Sequence, residues 1–426
     1  MLDEKIHSFS QMDSLVKNKQ YYKFCFYGFL KNLRFFDAFF ILFLVGKGLS
    51  YTEIGVLYAV REIAINIFEV PSGVVADTMG RRKSLIGSLL AYIASFVVFF
   101  LSGNFWLFMI AFVFYGIGDA FRTGTHKGII MDYLKIQGWE NQKINYYGHT
   151  RSWSQMGSAI SSLIAGFIVF YSGSYQNVFL YSIVPYLLNV ILISTYPKEL
   201  DLVSSKKEGR NFAGFVFIIK SLLHILKRRV VIKIVNTTAL HTAFLQAVKD
   251  YIQPLLVSVA LTIPVLMNSE QEKKNGAIIG VIYFFIYMAT SLASKYSSKA
   301  LIKKGLDIPF ITLIAGFLLG FITGLFYRME FWYISMIAFI GIFIIENFRK
   351  PILTGYISDN VPNEILASVI SAQSLLKTIF AAIIALVFGV LADHLGIGFA
   401  FMITSGFLIL FSFVIYYLKR IQKKLN

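Results

Sequence analysis

Over most of this chain apolar residues do not alternate with polar ones at a helical or strand period. They come in unbroken runs. Leu107–Tyr115, Val178–Ser194 and Phe310–Phe326 are apolar on nearly every face a helix would present. Each such run, taken with its flanks, approaches the roughly 20 residues that a helix needs to cross a hydrocarbon layer. Twelve segments of this kind can be marked, at roughly 22–46, 51–76, 84–102, 105–133, 147–172, 175–196, 230–257, 275–296, 308–327, 330–355, 363–392 and 397–418. In lipid only helices and closed barrels satisfy every backbone group, and a barrel needs short alternating strands. The pattern therefore predicts an all-α integral membrane protein with twelve transmembrane helices.

Composition agrees with this pattern and narrows the chemistry. The 426 residues are 57% hydrophobic, 16% aromatic and only 15% charged, with a mean hydropathy of +0.66, which is too apolar for a soluble domain. The sole cysteine, Cys25, excludes an intrachain disulfide and a cysteine metal cluster. No Gly-x4-Gly-Lys-Ser/Thr loop occurs, so neither a nucleotide-driven pump nor an enzyme is expected, and no metal or other cofactor. The first 20 residues are polar and show no short apolar core followed by a cleavage site, so the first span itself is expected to direct insertion.

The formal charge of +17 could point to nucleic acid, but its distribution argues otherwise. With the N-terminus placed in the cytoplasm, 29 of the 40 Lys and Arg fall in cytoplasmic segments, and four (Lys47, Lys273, Lys274, Arg328) fall outside. This bias predicts both termini in the cytoplasm, a lipid bilayer as the large-scale partner and no nucleic acid. The expected organisation is a cytoplasmic segment 1–20, a six-helix bundle 21–196, an amphipathic connector 197–229, a second bundle 230–418 and a basic tail 419–426.

Two internal repeats relate the halves. Small residues seven apart close four spans, at Gly73/Gly80, Gly166/Gly173, Ser291/Ser298 and Gly389/Gly396, and Gly-Val-Val-Ala-Asp at 73–77 nearly recurs as Gly-Val-Leu-Ala-Asp at 389–393. The fourth span carries Asp119-Ala-Phe-Arg122, with Asp132 ten residues after the Arg. The tenth carries Glu346-Asn-Phe-Arg349, with Asp359 ten after its Arg. Because the repeated spans run in both directions, three-helix units inverted within six-helix halves are expected.

Between the second and third spans the chain reads Gly73-Val-Val-Ala-Asp77-Thr-Met-Gly80-Arg81-Arg82-Lys83. Gly73 would let its helix approach a neighbour, Gly80 would permit a tight turn, and the basic run would hold the loop in the cytoplasm. This segment resembles the signature loop of the major facilitator superfamily. The resemblance extends over nearly the whole chain and implies two pseudo-symmetric six-helix bundles with a solute site between them near the midplane. It also implies a conformational latch between the halves, formed by Gly73, Asp77, Gly80, Arg81 and Arg82. There are departures. Residues 148–173 lack the Gly-Pro pair of many proton antiporters, Phe112 stands where many relatives carry Arg, and Gly124-Thr125-His126-Lys127 puts His and Lys where acids often follow. The first of these argues against drug export, and together they keep coupling details from being carried over.

Ionisable groups deep in a bilayer cost on the order of 3 kcal/mol or more, so each is a functional candidate. At about 1.5 Å per residue, Arg34, Asp37, Arg61, Glu62, Asp119, His241 and Lys377 fall in the middle third of their spans. Arg34/Asp37, Asp119/Arg122 and Glu346/Arg349 are each three apart on one face and can neutralise one another, the reading favoured for the last. Arg61 and Glu62 point in adjacent directions, which suggests contacts within the first half. His126, His149 and His241 are possible relays or simply packed rings. Lys377 has no acid near it in sequence and needs a partner across the bundle.

The expected function is secondary active transport of a small organic solute across a bacterial cytoplasmic membrane, by a monomer working through alternating access. Deep basic residues outnumber deep acidic ones, so the solute is expected to be anionic or zwitterionic. Arg34, Arg122, His241 and Lys377 are the candidate solute ligands, and Asp37 and Asp119 the candidate proton carriers. The rival readings are a proton-coupled exporter of drugs or metabolites and, more remotely, a transporter-derived receptor.

Overall fold

The computed structural model describes residues 16–202, 229–264, 269–300, 307–360 and 363–422. These residues are helical almost throughout and include no strand. Each predicted span is met by one helical pass. Passes 2, 3, 5 and 6 are Tyr51–Met79, Arg81–Leu101, Lys143–Ser172 and Asn177–Ser194; passes 8 to 12 are Gln271–Ala300, Ile308–Arg328, Trp332–Asn360, Asn363–Leu395 and Ile397–Gln422.

Three passes are interrupted, which the hydropathy pattern does not anticipate. Pass 1 consists of Lys19–Lys31 and Phe40–Gly46, pass 4 of Phe105–Arg122 and Thr125–Ile136, and pass 7 of Arg229–Val248 and Ile252–Thr262 joined by a single 3-10 turn. In pass 1 the Asn32 amide turns back to donate to the Gly28 carbonyl at 2.7 Å, a local bond that competes with helix continuation. In pass 4 the break falls at Gly124, whose φ of 81° is left-handed. Eight of the described helical segments are individually long and apolar enough to cross a membrane. Passes 1, 2, 7 and 10 are not among them, and these hold Arg34, Asp37, Arg61, Glu62, His241 and Glu346.

The first six passes pack mainly on one another, as do the last six. The halves meet where pass 2 lies against pass 11 and pass 5 against pass 8. The second of these joints is made of glycine: a Cβ on Gly166 would fall 2.6 Å from the Gly276 carbonyl oxygen and 3.1 Å from Gly280 Cα. Such backbone-on-backbone packing is the usual device in lipid, where no hydrophobic driving force separates helix from solvent. Outward-facing side chains are large and apolar, with Leu101 75%, Trp106 70% and Leu410 68% exposed, as a lipid-facing surface requires.

The connector expected over 197–229 lies mostly outside the described residues; only its first turn, Glu199–Leu202, is seen as a short helix. Most of the expected N-terminal segment and the last four residues of the expected basic tail also lie outside them.

Candidate solute site

The break in pass 1 exposes backbone groups at membrane depth, and neighbouring side chains take them up. Ser182 Oγ accepts from Phe35 N at 3.1 Å, Tyr186 Oη donates to the Lys31 carbonyl at 3.0 Å, and both residues belong to pass 6. From the other half Gln253 of pass 7 accepts from Ile41 N at 2.8 Å and donates to the Asp37 carbonyl at 2.9 Å. Irregular backbone survives at this depth only where protein or a water-filled cavity surrounds it. Here a small cavity adjoins the break, lined by Asn32, Arg34 and Asp37 of pass 1, Ser158, Ser161 and Ser162 of pass 5 and Tyr287 of pass 8.

Two ion pairs predicted from their spacing are formed. Arg34 Nε lies 3.3 Å from Asp37 Oδ2, and its Nη1 donates to Tyr115 Oη at 2.8 Å. Arg122 Nη2 lies 3.1 Å from Asp119 Oδ1, and its Nε donates to Tyr92 Oη, which donates in turn to the same carboxylate oxygen at 2.5 Å. None of the four side chains is sealed; Arg34 and Arg122 keep 24% and 27% of their surface accessible. Pairs on passes 1 and 4 lie within electrostatic reach of each other, and Lys31 lies within reach of all four groups. Among the described residues no carboxylate comes within 4.0 Å of the Lys31 ammonium. Beside it the His126 ring stacks on Tyr27 with centroids 3.8 Å apart.

Elsewhere the expectations need correction. Glu346 and Arg349 do not neutralise each other. The Glu346 carboxylate binds His241 Nδ1 and Thr242 Oγ1, both at 2.8 Å. Arg349, fully buried, donates to the Thr237 carbonyl at 2.6 Å and to the Pro309 carbonyl and Thr312 hydroxyl, each at 2.7 Å. A neighbouring His outcompeted the helical neighbour, and the guanidinium became a clamp on passes 7 and 9. His241, expected among the solute ligands, is consequently 0% exposed. Its ring packs so closely on Gly316 that a Cβ there would run into it.

Arg61 curls along its helix to bind Glu62 at 2.9 Å, and the second Glu62 oxygen accepts from Gln246 of pass 7 at 2.7 Å. That contact crosses between the halves, contrary to expectation. Lys377 has Glu69 of pass 2 within electrostatic reach across the bundle, without an ion pair of 4.0 Å or less between them. It stands apart from the Arg34 and Arg122 cluster.

At the signature loop Gly80 has a φ of 95°, as the tight turn requires. Open space surrounds Gly73, however, and the close approach of pass 2 to pass 11 is made further along, where a Cβ on Gly55 would fall 2.5 Å from the Ala385 carbonyl oxygen. Arg81 binds Asp132 at 2.6 Å and Arg82 donates to the Tyr196 carbonyl at 2.9 Å, both contacts within the first half. The repeat of this motif at 389–393 has a role that its sequence does not reveal. The Asp393 carboxylate accepts from Tyr51 N at 2.8 Å and Thr52 N at 2.7 Å, joining the far end of pass 11 to the start of pass 2.

Hydrogen bonds that join the halves in the middle of the bundle and on the side away from the termini include Tyr58 to Asp250 at 2.9 Å, Asn275 to Tyr175 at 2.7 Å and Thr378 to Asn66 at 2.6 Å.

Two six-helix halves joined across the middle of the bundle, with ionisable groups in the interior, are the architecture of a multi-pass membrane transporter. A sequence model of the Major Facilitator Superfamily matches residues 28–385, and the chain belongs to that family. It is 24% identical over 387 residues to the uncharacterised MFS-type transporter YxaM of Bacillus subtilis (strain 168), covering 88% of this chain and 89% of that one. It is 26% identical over 181 residues to the sucrose permease of Escherichia coli, covering 41% and 42%. Among solved structures, the nucleoside transporter NupG superposes with a TM-score of 0.69 at 13% identity, covering 93% of this chain and 96% of that one. A D-xylose-proton symporter gives 0.67 at 15%, with the same coverage. These two likenesses speak to the fold.

Proposed function

We propose that this protein moves a small anionic or zwitterionic organic solute across the cytoplasmic membrane by alternating access, coupled to protons. The observation that carries this reading is the accessible pair of guanidiniums, Arg34 and Arg122, each held by an acid one turn away, with Arg34 and Asp37 lining a small interior cavity. An arriving carboxylate or phosphoryl group offers two oxygens to a guanidinium and competes with Asp37 or Asp119 for it. The displaced acid is the proposed site of proton uptake. Solute and proton binding are thereby linked.

With both termini in the cytoplasm, the side joined by Asp393 faces outward. On this reading Asp77, Gly80 and the basic run act at the cytoplasmic side. The reading takes the protein as a monomer. A second reading, a neutral polyhydroxylated solute, draws on the partial likeness to sucrose permease.

The deciding measurement is solute binding to purified protein followed by counterflow in liposomes. Arg34→Gln and Arg122→Gln should abolish binding of the anionic solute. Tight binding of a neutral sugar, undiminished in both variants, would favour the second reading instead.

A further inference from the structure

We propose that the cavity beside the pass 1 break takes a small hydroxy acid, its carboxylate on Arg34 and its hydroxyl between Ser161 and Tyr287, with Ser161 selecting for that hydroxyl. This rests on the reading of Arg34 as a solute ligand and names the class of solute. Three side chains from three passes line the cavity with hydrogen-bonding capacity that the protein does not use: Arg34 of pass 1, Ser161 of pass 5 and Tyr287 of pass 8. Arg34 directs Nη1 to Tyr115 and Nε toward Asp37, and its Nη2 makes no hydrogen bond among the described residues. Nor does the Tyr287 hydroxyl.

Ser161 is the sharper observation. It is 3% exposed, and its hydroxyl has no partner among the described residues. Three neighbouring serines of pass 5 turn theirs back on their own helix: Ser154 donates to the Thr150 carbonyl at 3.1 Å, Ser158 to the Ser154 carbonyl at 3.4 Å and Ser162 to the Ala159 carbonyl at 2.7 Å. Such back-bonding is the ordinary outcome for a helical serine. A buried hydroxyl left unsatisfied costs about 1–3 kcal/mol. Of the buried hydroxyls without a partner among the described residues, that of Ser161 is the one that lines the cavity.

The donor and acceptor balance names the class. Arg34 only donates, whereas the serine and tyrosine hydroxyls both donate and accept. A bare carboxylate answers Arg34 but brings no donor for the two hydroxyl oxygens. A hydroxyl on the solute donates to one of them and accepts from the other. An ammonium in its place needs a carboxylate of its own, and that of Asp37 is engaged by Arg34. Tyr287 belongs to the second half and the other two residues to the first, so a solute held in this way bridges the halves.

The test uses full-length protein in nanodiscs of phosphatidylcholine, with binding read by titration calorimetry. The probes are lactate and glycerate, propionate, which lacks the hydroxyl, and alanine, which carries an ammonium instead. At least one hydroxy acid should bind about tenfold or more tighter than propionate. Ser161→Ala and, independently, Tyr287→Phe should bring that hydroxy acid to the level of propionate and leave propionate unchanged. Arg34→Gln should abolish binding of both. The hydroxy-acid assignment is overturned if both hydroxyl variants keep the preference, if propionate or alanine binds as tightly as the hydroxy acids, or if none of the four binds. Loss of all acid binding in Arg34→Gln would then leave the anion reading standing. If Arg34→Gln binds the acids as the wild type does, that reading falls as well.

Discussion

Asp393 receives the first two N–H groups of pass 2: its Oδ1 lies 2.8 Å from Tyr51 N and its Oδ2 lies 2.7 Å from Thr52 N. The first four N–H groups of a helix lack intrahelical partners and carry the positive end of its dipole, so a carboxylate is well placed there. The carboxylate comes from the far end of the other half, and it is the repeat of Asp77. Asp393→Asn should therefore loosen closure on this side by about 1 kcal/mol, shifting the population of that opening about fivefold. Spin-label distances across the Asp393 side report this directly; an unchanged distribution would show that Asp393 does not hold the halves.

Coupling is tested by Asp37→Asn, which resembles the protonated acid and no longer competes for Arg34. Under the proposed coupling, anion binding to the variant should be at least as tight as to the wild type and should not depend on pH. A pH dependence preserved in the variant would place the coupling proton elsewhere.

Arg349 should be structural. Replacing it by Lys keeps the charge but cannot reproduce the fork that reaches Thr237, Pro309 and Thr312 together. A loss of about 3 kcal/mol is expected, since the bonds are buried and charge-assisted. Melting temperature should fall with solute affinity unchanged. A normal melting curve with lost affinity would give Arg349 a place in the solute site.

For the signature loop, Asp77→Asn should slow flux in liposomes and leave equilibrium solute binding intact. Wild-type flux would reduce the loop to a topology signal.

Orientation can be read chemically in a Cys25→Ser background. A cysteine at Ser205 should react with an impermeant thiol reagent only in inverted vesicles, and one at Gly103, exposed between passes 3 and 4, only in intact cells. The opposite pattern would invert the topology.

The residues that were legible in the sequence are those whose reasons are local. Arg34/Asp37 and Asp119/Arg122 are one helical turn apart, and spacing alone brings them together. Glu346/Arg349 has the same spacing and failed, because His241, 105 residues away, reaches the carboxylate first. Tyr51 and Asp393 are separated by 342 residues, so no local pattern could pair them, although the repeated motif marked Asp393 as worth explaining.

The cross-half contact of Gln253 has a consequence for the solvent. Ile41 is the second residue of its helix segment, so its N–H has no intrahelical acceptor. When the halves part on the outer side, Gln253 must leave both Ile41 N–H and the Asp37 carbonyl. Water then has to enter and take its place, for an unsatisfied amide at this depth is costly. Outward opening is thus a wetting event as much as a rotation. Its rate should fall with water activity, so an inert osmolyte too large to enter the cavity would slow transport even though it touches no part of the site.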